Sequence, residues 1–213
     1  MERRGLLKWG KPTRRKNLKQ NYDVIINCAA HVGNLSYLKS NKASVMSNNL
    51  KIYQNLYDEI YQSNIKPHII NLISNCVYPG DQVIQKEKNI FKGSVHESVE
   101  PFGIPKLILL KLSLFYQEQY NINSLNLVLP NAFGPGDHLD INRSHALNGI
   151  IDRMIEAKKN NDINFEIWGS GKPKREWIFA EDVARIIDLT ISKRKFLNKI
   201  KIINIAQNKS YSI

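Results

Sequence analysis

Asp23-Val24-Ile25-Ile26-Asn27-Cys28 and His68-Ile69-Ile70-Asn71-Leu72-Ile73 are two short runs rich in β-branched residues. Runs apolar at most positions suit strands buried on both faces of a parallel sheet. Between them, over 44–63, Leu50, Tyr53, Leu56, Tyr57 and Ile60 recur at helical spacing. Pro67 stands just before the second run, where its missing N–H costs little. Strand, helix and strand in this order predict a βαβ unit with parallel pairing and a right-handed crossover.

The alternation continues outward from this unit. Residues 103–120 read as the strongest helix, with Leu107, Leu110, Leu114 and Phe115 on one face and Pro105 expected in its first turn. Ser124 to Leu129 reads as a strand, Ser144 to Lys159 as a helix and Phe165-Glu166-Ile167-Trp168 as a short strand. Glu181 to Ser192 reads as a helix and Lys201 to Ile205 as a strand. The fold class predicted is α/β: a Rossmann-like doubly wound parallel sheet, incomplete at the N-terminus, with part of a small C-terminal substrate-binding region. Such sheets bind ligands beyond the carboxyl ends of their strands. Ala29-Ala30-His31, Ser74-Asn75-Cys76 and Pro130-Asn131 all fall there. The long connection from Pro79 to Pro101 is expected to be functional.

Composition narrows the class. The 213 residues suffice for one core-forming domain, and 42% are hydrophobic. No apolar run approaches the roughly 20 residues that span a bilayer, so no membrane partner is expected. The net charge of +12 invites an anionic partner. No helix-turn-helix, RNP or zinc-finger pattern accompanies it, which argues against nucleic acid. Cys28 and Cys76 each end an apolar run and read as two buried thiols of a reducing, cytoplasmic compartment. The five histidines show no ligand spacing with them, so no metal site is expected.

In order along the chain, Ala29-Ala30-His31-Val32-Gly33, Asn49-Leu50, Ser74-Asn75-Cys76-Val77-Tyr78-Pro79, Pro101-Phe102-Gly103-Ile104-Pro105-Lys106, Asn131-Ala132-Phe133-Gly134-Pro135, Ser144-His145 and Trp168-Gly169-Ser170-Gly171 with Arg175-Glu176 form a pattern. It resembles the NAD-dependent epimerase/dehydratase family of extended short-chain dehydrogenases. Within that family it is most similar to the GDP-L-fucose synthase branch. The similarity runs from about Tyr22 to Ser212, with Asp182 matching a helix start. The resemblance implies NADP or NAD as cofactor, a nucleotide-sugar substrate (a GDP-sugar by preference) and a homodimer. It implies NADP(H)-dependent reduction and epimerisation of a 4-keto-6-deoxy sugar. Ala29, Ala30, Val32, Gly33, Asn49 and Lys106 would bind the cofactor. Ser74, Cys76, Lys106 and His145 would be catalytic, together with Phe102 at the family's tyrosine position. Asn131, Arg153, Trp168 and Arg175 would face the substrate.

Two departures bear on activity. Phe102 has no proton to move, and loss of a positioned acid/base costs roughly 10²- to 10⁴-fold in rate. No strand followed by G-x-x-G-x-x-G opens the chain, so the usual pyrophosphate cradle at a helix N-terminus is missing from this sequence. Residues 1–21 therefore read as a basic segment outside the family. Residues 22–213 read as a partial NAD(P)-binding domain with substrate-region elements at about 132–180, a middle piece cut at both ends. The alternative to an enzyme is a non-catalytic remnant, or a scaffold partner of an active paralogue.

Overall fold

The computed structural model describes residues 22–81, 84–137, 144–167 and 170–213. Four parallel strands make the main sheet: β1 (Val24–Asn27), β2 (His68–Ser74), β3 (Ser124–Leu129) and β6 (Ile202–Asn204), in the order β1-β2-β3-β6. A smaller sheet joins β4 (Asn131–Phe133) parallel to β5 (Lys174–Phe179), and β5 antiparallel to β7 (Ser210–Ser212). The Rossmann-like α/β class is as expected.

Two helices cover one face of the main sheet. Tyr53, Leu56, Tyr57 and Ile60 from α2 (Lys42–Gln62) meet Leu109 and Leu110 from α3 (Glu100–Tyr120) over Ile25, Ile69, Ile73 and Val128. On the other face α5 (Ala180–Ser192) lays Val183, Ile187 and Ile191 on Ile70, Leu125, Leu127 and Leu129. The period of two along each strand sends alternate residues to the two helical layers. At β1, the edge strand among the described residues, the second face thins out: Ile26 is 44% exposed.

A row of buried amides crosses this core. Asn27, Asn71 and Asn126 stand opposite one another on β1, β2 and β3. Asn27 Nδ2 donates to Asn71 Oδ1 at 2.9 Å, and Asn71 Nδ2 donates to Asn126 Oδ1 at 3.0 Å and to the Tyr57 hydroxyl at 2.8 Å. Asn126 Nδ2 reaches Ser113 Oγ and the Lys201 carbonyl. The sequence reading treated these positions as ordinary strand residues. Three amides in register satisfy each other where single ones would be costly.

Several boundaries differ from expectation. The strand expected at Phe165–Trp168 does not form over 165–167; Trp168 lies outside the described residues, and β5 forms instead at Lys174–Phe179. Helix α3 starts at Glu100, so Pro101 takes its first turn and Pro105 sits inside it. There Pro105 removes one N–H from the helical ladder. A short helix α1 (Leu35–Ser40), capped by Asn34, was not foreseen, nor were β4 and β7. The remaining helices are α4 (Ala146–Asn160) and α6 (Arg194–Leu197). The basic segment 1–21 lies outside the described residues.

Candidate functional site

At the carboxyl end of β2 the chain leaves the sheet through Ser74, whose Oγ accepts the Cys76 N–H at 3.3 Å and caps a short turn over Asn75–Val77. As the acceptor there, the serine still has its own O–H to donate, and the Cys76 thiol lies within its reach. Helix α3 presses against this turn. A Cβ on Gly103 would lie 2.8 Å from the Cys76 carbonyl oxygen, so only glycine permits that approach. The contact sets Phe102 and Lys106, one turn apart, beside the end of β2.

Lys106 is 4% exposed. Its ammonium donates to the Leu72 carbonyl at 2.8 Å and lies 5.1 Å from the Tyr53 ring centre and 5.7 Å from that of Phe102. Burial pulls its pKa down to about 8, and the neighbouring thiols of Cys28 and Cys76 offset this only in part. Below pH 8 the amine is charged in both folded and unfolded chains, so its burial penalty is fully present. Between about 8 and the ordinary lysine value of 10.5 the unfolded chain holds a proton that the folded chain has lost. Stability therefore rises with pH across that window. Lys106→Met is expected to stabilise the chain at pH 7 by on the order of 1–3 kcal/mol, with the gain fading by pH 10.5. Urea unfolding at the two pH values checks this, and a pH-independent difference would contradict it.

Burial pushes the Cys76 thiol up, against the Ser74 hydrogen bond, its own backbone N–H and the charges of Arg175 and Lys106. A protonated thiol is the form that can give a proton. Cys28, expected to be buried, is exposed, one residue past the end of the edge strand β1; the protein on its inner side still pushes the thiol up, with the Lys106 charge opposing.

The loop after β1 is held from behind. Asn49, fully buried on α2, accepts the His31 N–H at 2.8 Å and donates to the His31 carbonyl at 2.8 Å and to that of Val45 at 2.9 Å. Its amide oxygen also accepts the Tyr53 hydroxyl at 3.3 Å, so both ends of the side chain hold the protein's own groups. Asn27 Oδ1 accepts the Ala29 N–H at 3.2 Å. Ala30 and Val32 pack with Phe102, Cys76 and Tyr37 in one apolar cluster, and a Cβ on Gly33 would meet the Tyr37 ring at 2.5 Å. The Tyr37 hydroxyl bonds His31 Nε2 at 2.8 Å. No tyrosine stands at 102, and Tyr78, just past the Asn75–Val77 turn, is committed elsewhere. Its hydroxyl donates to Asn204 Oδ1 at 2.6 Å, and burial pushes its pKa up to about 12.

The substrate-side residues lie on the second sheet and α4. Asn131 on β4 donates to the Glu176 carbonyl at 3.1 Å. Arg175 on β5 is exposed, and its charge reaches Cys76. Arg153 on α4 donates from Nε to the Glu166 carbonyl at 2.9 Å. His145, the N-cap of α4, has its Nδ1 3.1 Å and 3.3 Å from the carboxylate oxygens of Asp137. The sequence reading missed Asp137; its one sequence signal is an acidic residue placed eight positions before that histidine. Trp168 lies outside the described residues. Among the described residues no cluster of three or more metal-ligating side chains occurs.

A Rossmann-like sheet, a serine ending one strand and a lysine-bearing helix laid against it together define a protein of the extended short-chain dehydrogenase class. The chain belongs to the NAD dependent epimerase/dehydratase family, whose model matches residues 7–206, a span that takes in part of the basic N-terminal segment. It is 29% identical over 198 residues to the GDP-L-fucose synthase of Sinorhizobium fredii, covering 92% of this chain and 62% of that protein. It is 29% identical over 200 residues to the GDP-L-colitose synthase of Yersinia pseudotuberculosis, covering 93% and 63%. A solved GDP-L-fucose synthetase from Naegleria fowleri, bound to NADP, superposes with a TM-score of 0.77 at 25% identity, over 90% of this chain and 62% of that one. The chain thus spans a little over three fifths of the length of these relatives.

Proposed function

We propose that this chain carries the catalytic half of a nucleotide-sugar epimerase/reductase that uses NADP(H) or NAD(H) and acts on a GDP-linked 4-keto-6-deoxy sugar. The observation that carries this reading is the buried Lys106 ammonium beside Ser74 and Cys76, at the carboxyl end of β2. An ammonium has three N–H donors, and the Leu72 carbonyl takes one. A buried cation with donors to spare fits a ribose hydroxyl, and the small Ala29 and Ala30 at the end of β1 leave room for a flat ring. When bound, the cofactor supplies hydride. Ser74 holds the sugar carbonyl through its O–H, and Cys76 and His145 move the protons that invert sugar carbons. Asn131, Arg153 and Arg175 hold the sugar and its phosphates, a task suited to guanidinium forks.

NADPH titration of the purified chain, followed by calorimetry or by the fluorescence of Trp9, Trp168 and Trp177, tests the reading. Saturable binding in the micromolar range is expected. A folded sample that binds no NADPH would sink it.

A homodimer belongs to the same proposal, supported by apolar side chains left open on α2 and α3: Tyr61 is 50%, Ile108 41% and Phe115 56% exposed. No helix among the described residues is long and apolar enough to cross a membrane; we place the chain in the cytoplasm, in keeping with its free thiols. Phe102 favours a second reading, a non-catalytic remnant or scaffold partner of an active paralogue. Under that reading the dimer face would persist and the nucleotide site would not.

A further inference from the structure

We infer that Asp137 is the positioning residue for His145: its carboxylate holds the proton on Nδ1 and leaves Nε2 as the atom that exchanges a proton with substrate. The inference deepens the reading of His145 as an epimerisation acid/base and rests on it.

The geometry is a one-sided grip. Both carboxylate oxygens of Asp137 stand within hydrogen-bond reach of His145 Nδ1, at 3.1 Å and 3.3 Å. An ionised carboxylate only accepts, so the nitrogen facing it must carry hydrogen. In the neutral ring the lone pair then sits on Nε2, and in the charged ring Nε2 is the proton that can leave. The ring is the outer partner of the pair, with its side chain 40% exposed against 18% for Asp137.

The same carboxylate is anchored independently of the ring. It accepts the His145 backbone N–H at 3.2 Å and Asn148 Nδ2 at 2.6 Å. His145 begins α4 but makes no side-chain cap bond of its own. Asp137, from the loop after β4, instead ties down the N–H of the cap residue itself and the side-chain amide of Asn148 in the first turn, and its negative charge suits a helix N-terminus. One side chain thereby fixes where the helix starts, how the ring is turned and which nitrogen is protonated. A merely structural cap would fix only the first of these.

The ring nitrogens of His145 in the full chain, read by long-range ¹⁵N–¹H correlation, test this. The His145→Gln variant identifies its signals among those of the five histidines. Recorded at a pH where the ring is uncharged, the expected wild-type signature is hydrogen on Nδ1 alone. Asp137→Asn, which offers an N–H of its own towards the ring, is expected to move it towards the Nε2–H form, and Asp137→Glu to retain the Nδ1–H form. Circular dichroism confirms that each variant is folded. A wild-type ring protonated at Nε2 would overturn the inference, as would an unchanged tautomer in folded Asp137→Asn.

A second readout is solvent deuterium exchange into a GDP-4-keto-6-deoxy sugar. In Asp137→Asn kcat is expected to fall on the order of 10²-fold with KM held, the cost of a misplaced catalytic group. A tautomer shift with kcat unchanged would overturn the catalytic part. A wild-type chain that exchanges no deuterium would instead count against the proposed function, while the tautomer result still decides the positioning role.

Discussion

Phe102→Tyr is expected to raise NADPH-dependent reduction of a GDP-4-keto-6-deoxy sugar by about 10²- to 10⁴-fold, the range that a positioned acid/base contributes. The substitution adds one oxygen and needs no new space for the ring. Phe102 is 8% exposed and already packs against Cys76, Ala30 and Val32. The Lys106 ammonium lies 5.7 Å from its ring centre. An ordinary tyrosine titrates near 10, and an adjacent cation favours the phenolate, moving the hydroxyl towards the working range. The other tyrosines near this turn are committed elsewhere: Tyr78 to Asn204, Tyr53 to Asn49 and Tyr37 to His31. Single-turnover oxidation of NADPH, monitored at saturating cofactor, isolates the chemical step. A variant that binds cofactor as tightly as the parent and turns over no faster would show that the missing hydroxyl is not what limits this site.

Asn71→Ala is expected to destabilise the chain by about 3–5 kcal/mol, a large share of the 5–15 kcal/mol that holds a typical domain together. Asn71 is fully buried at the centre of the amide row. Its removal strips the acceptor from Asn27 Nδ2 and the donor from Asn126 Oδ1, and takes an N–H from the Tyr57 hydroxyl. Asn27 Nδ2 would stay buried without its acceptor, Asn126 Oδ1 would keep only the longer bond from Ser113 Oγ and the Tyr57 hydroxyl only Ser124, and the shortened side chain would leave a void. The effect reaches the site, because Asn27 also holds the Ala29 N–H at the end of β1. The matched control is Asn48→Ala. That residue is exposed and bonds His31 Nδ1 at 3.1 Å, so a change within about 0.5 kcal/mol is expected. Urea unfolding of the two variants gives the comparison; similar midpoints would mean that the row contributes nothing to stability.

Local pattern carried much of this protein. β-branched runs at 23–28 and 68–73 around a helical period made a parallel βαβ unit legible, and the order of short motifs made the family legible. Ser74, Cys76, Phe102 and Lys106 do come together, because a strand end and a helix start meet wherever such a unit closes. Chain-distant pairings were not legible. Nothing local says that Asn27, Asn71 and Asn126 share one register, since register is set by packing between strands. The same holds for Asp137 and His145, on different elements, and for Asn49, read as a cofactor contact, whose amide bonds the His31 and Val45 backbone. Cys28 followed its apolar run and read as buried, but its exposure depends on which neighbours lie beyond the edge strand. By itself the sequence determined the period of each segment and which chemical groups the chain carries, since both follow from neighbours within a few residues. Only the tertiary structure decided which of those groups are buried, what they bond and how their protons are held, because these depend on partners that folding brings from far along the chain.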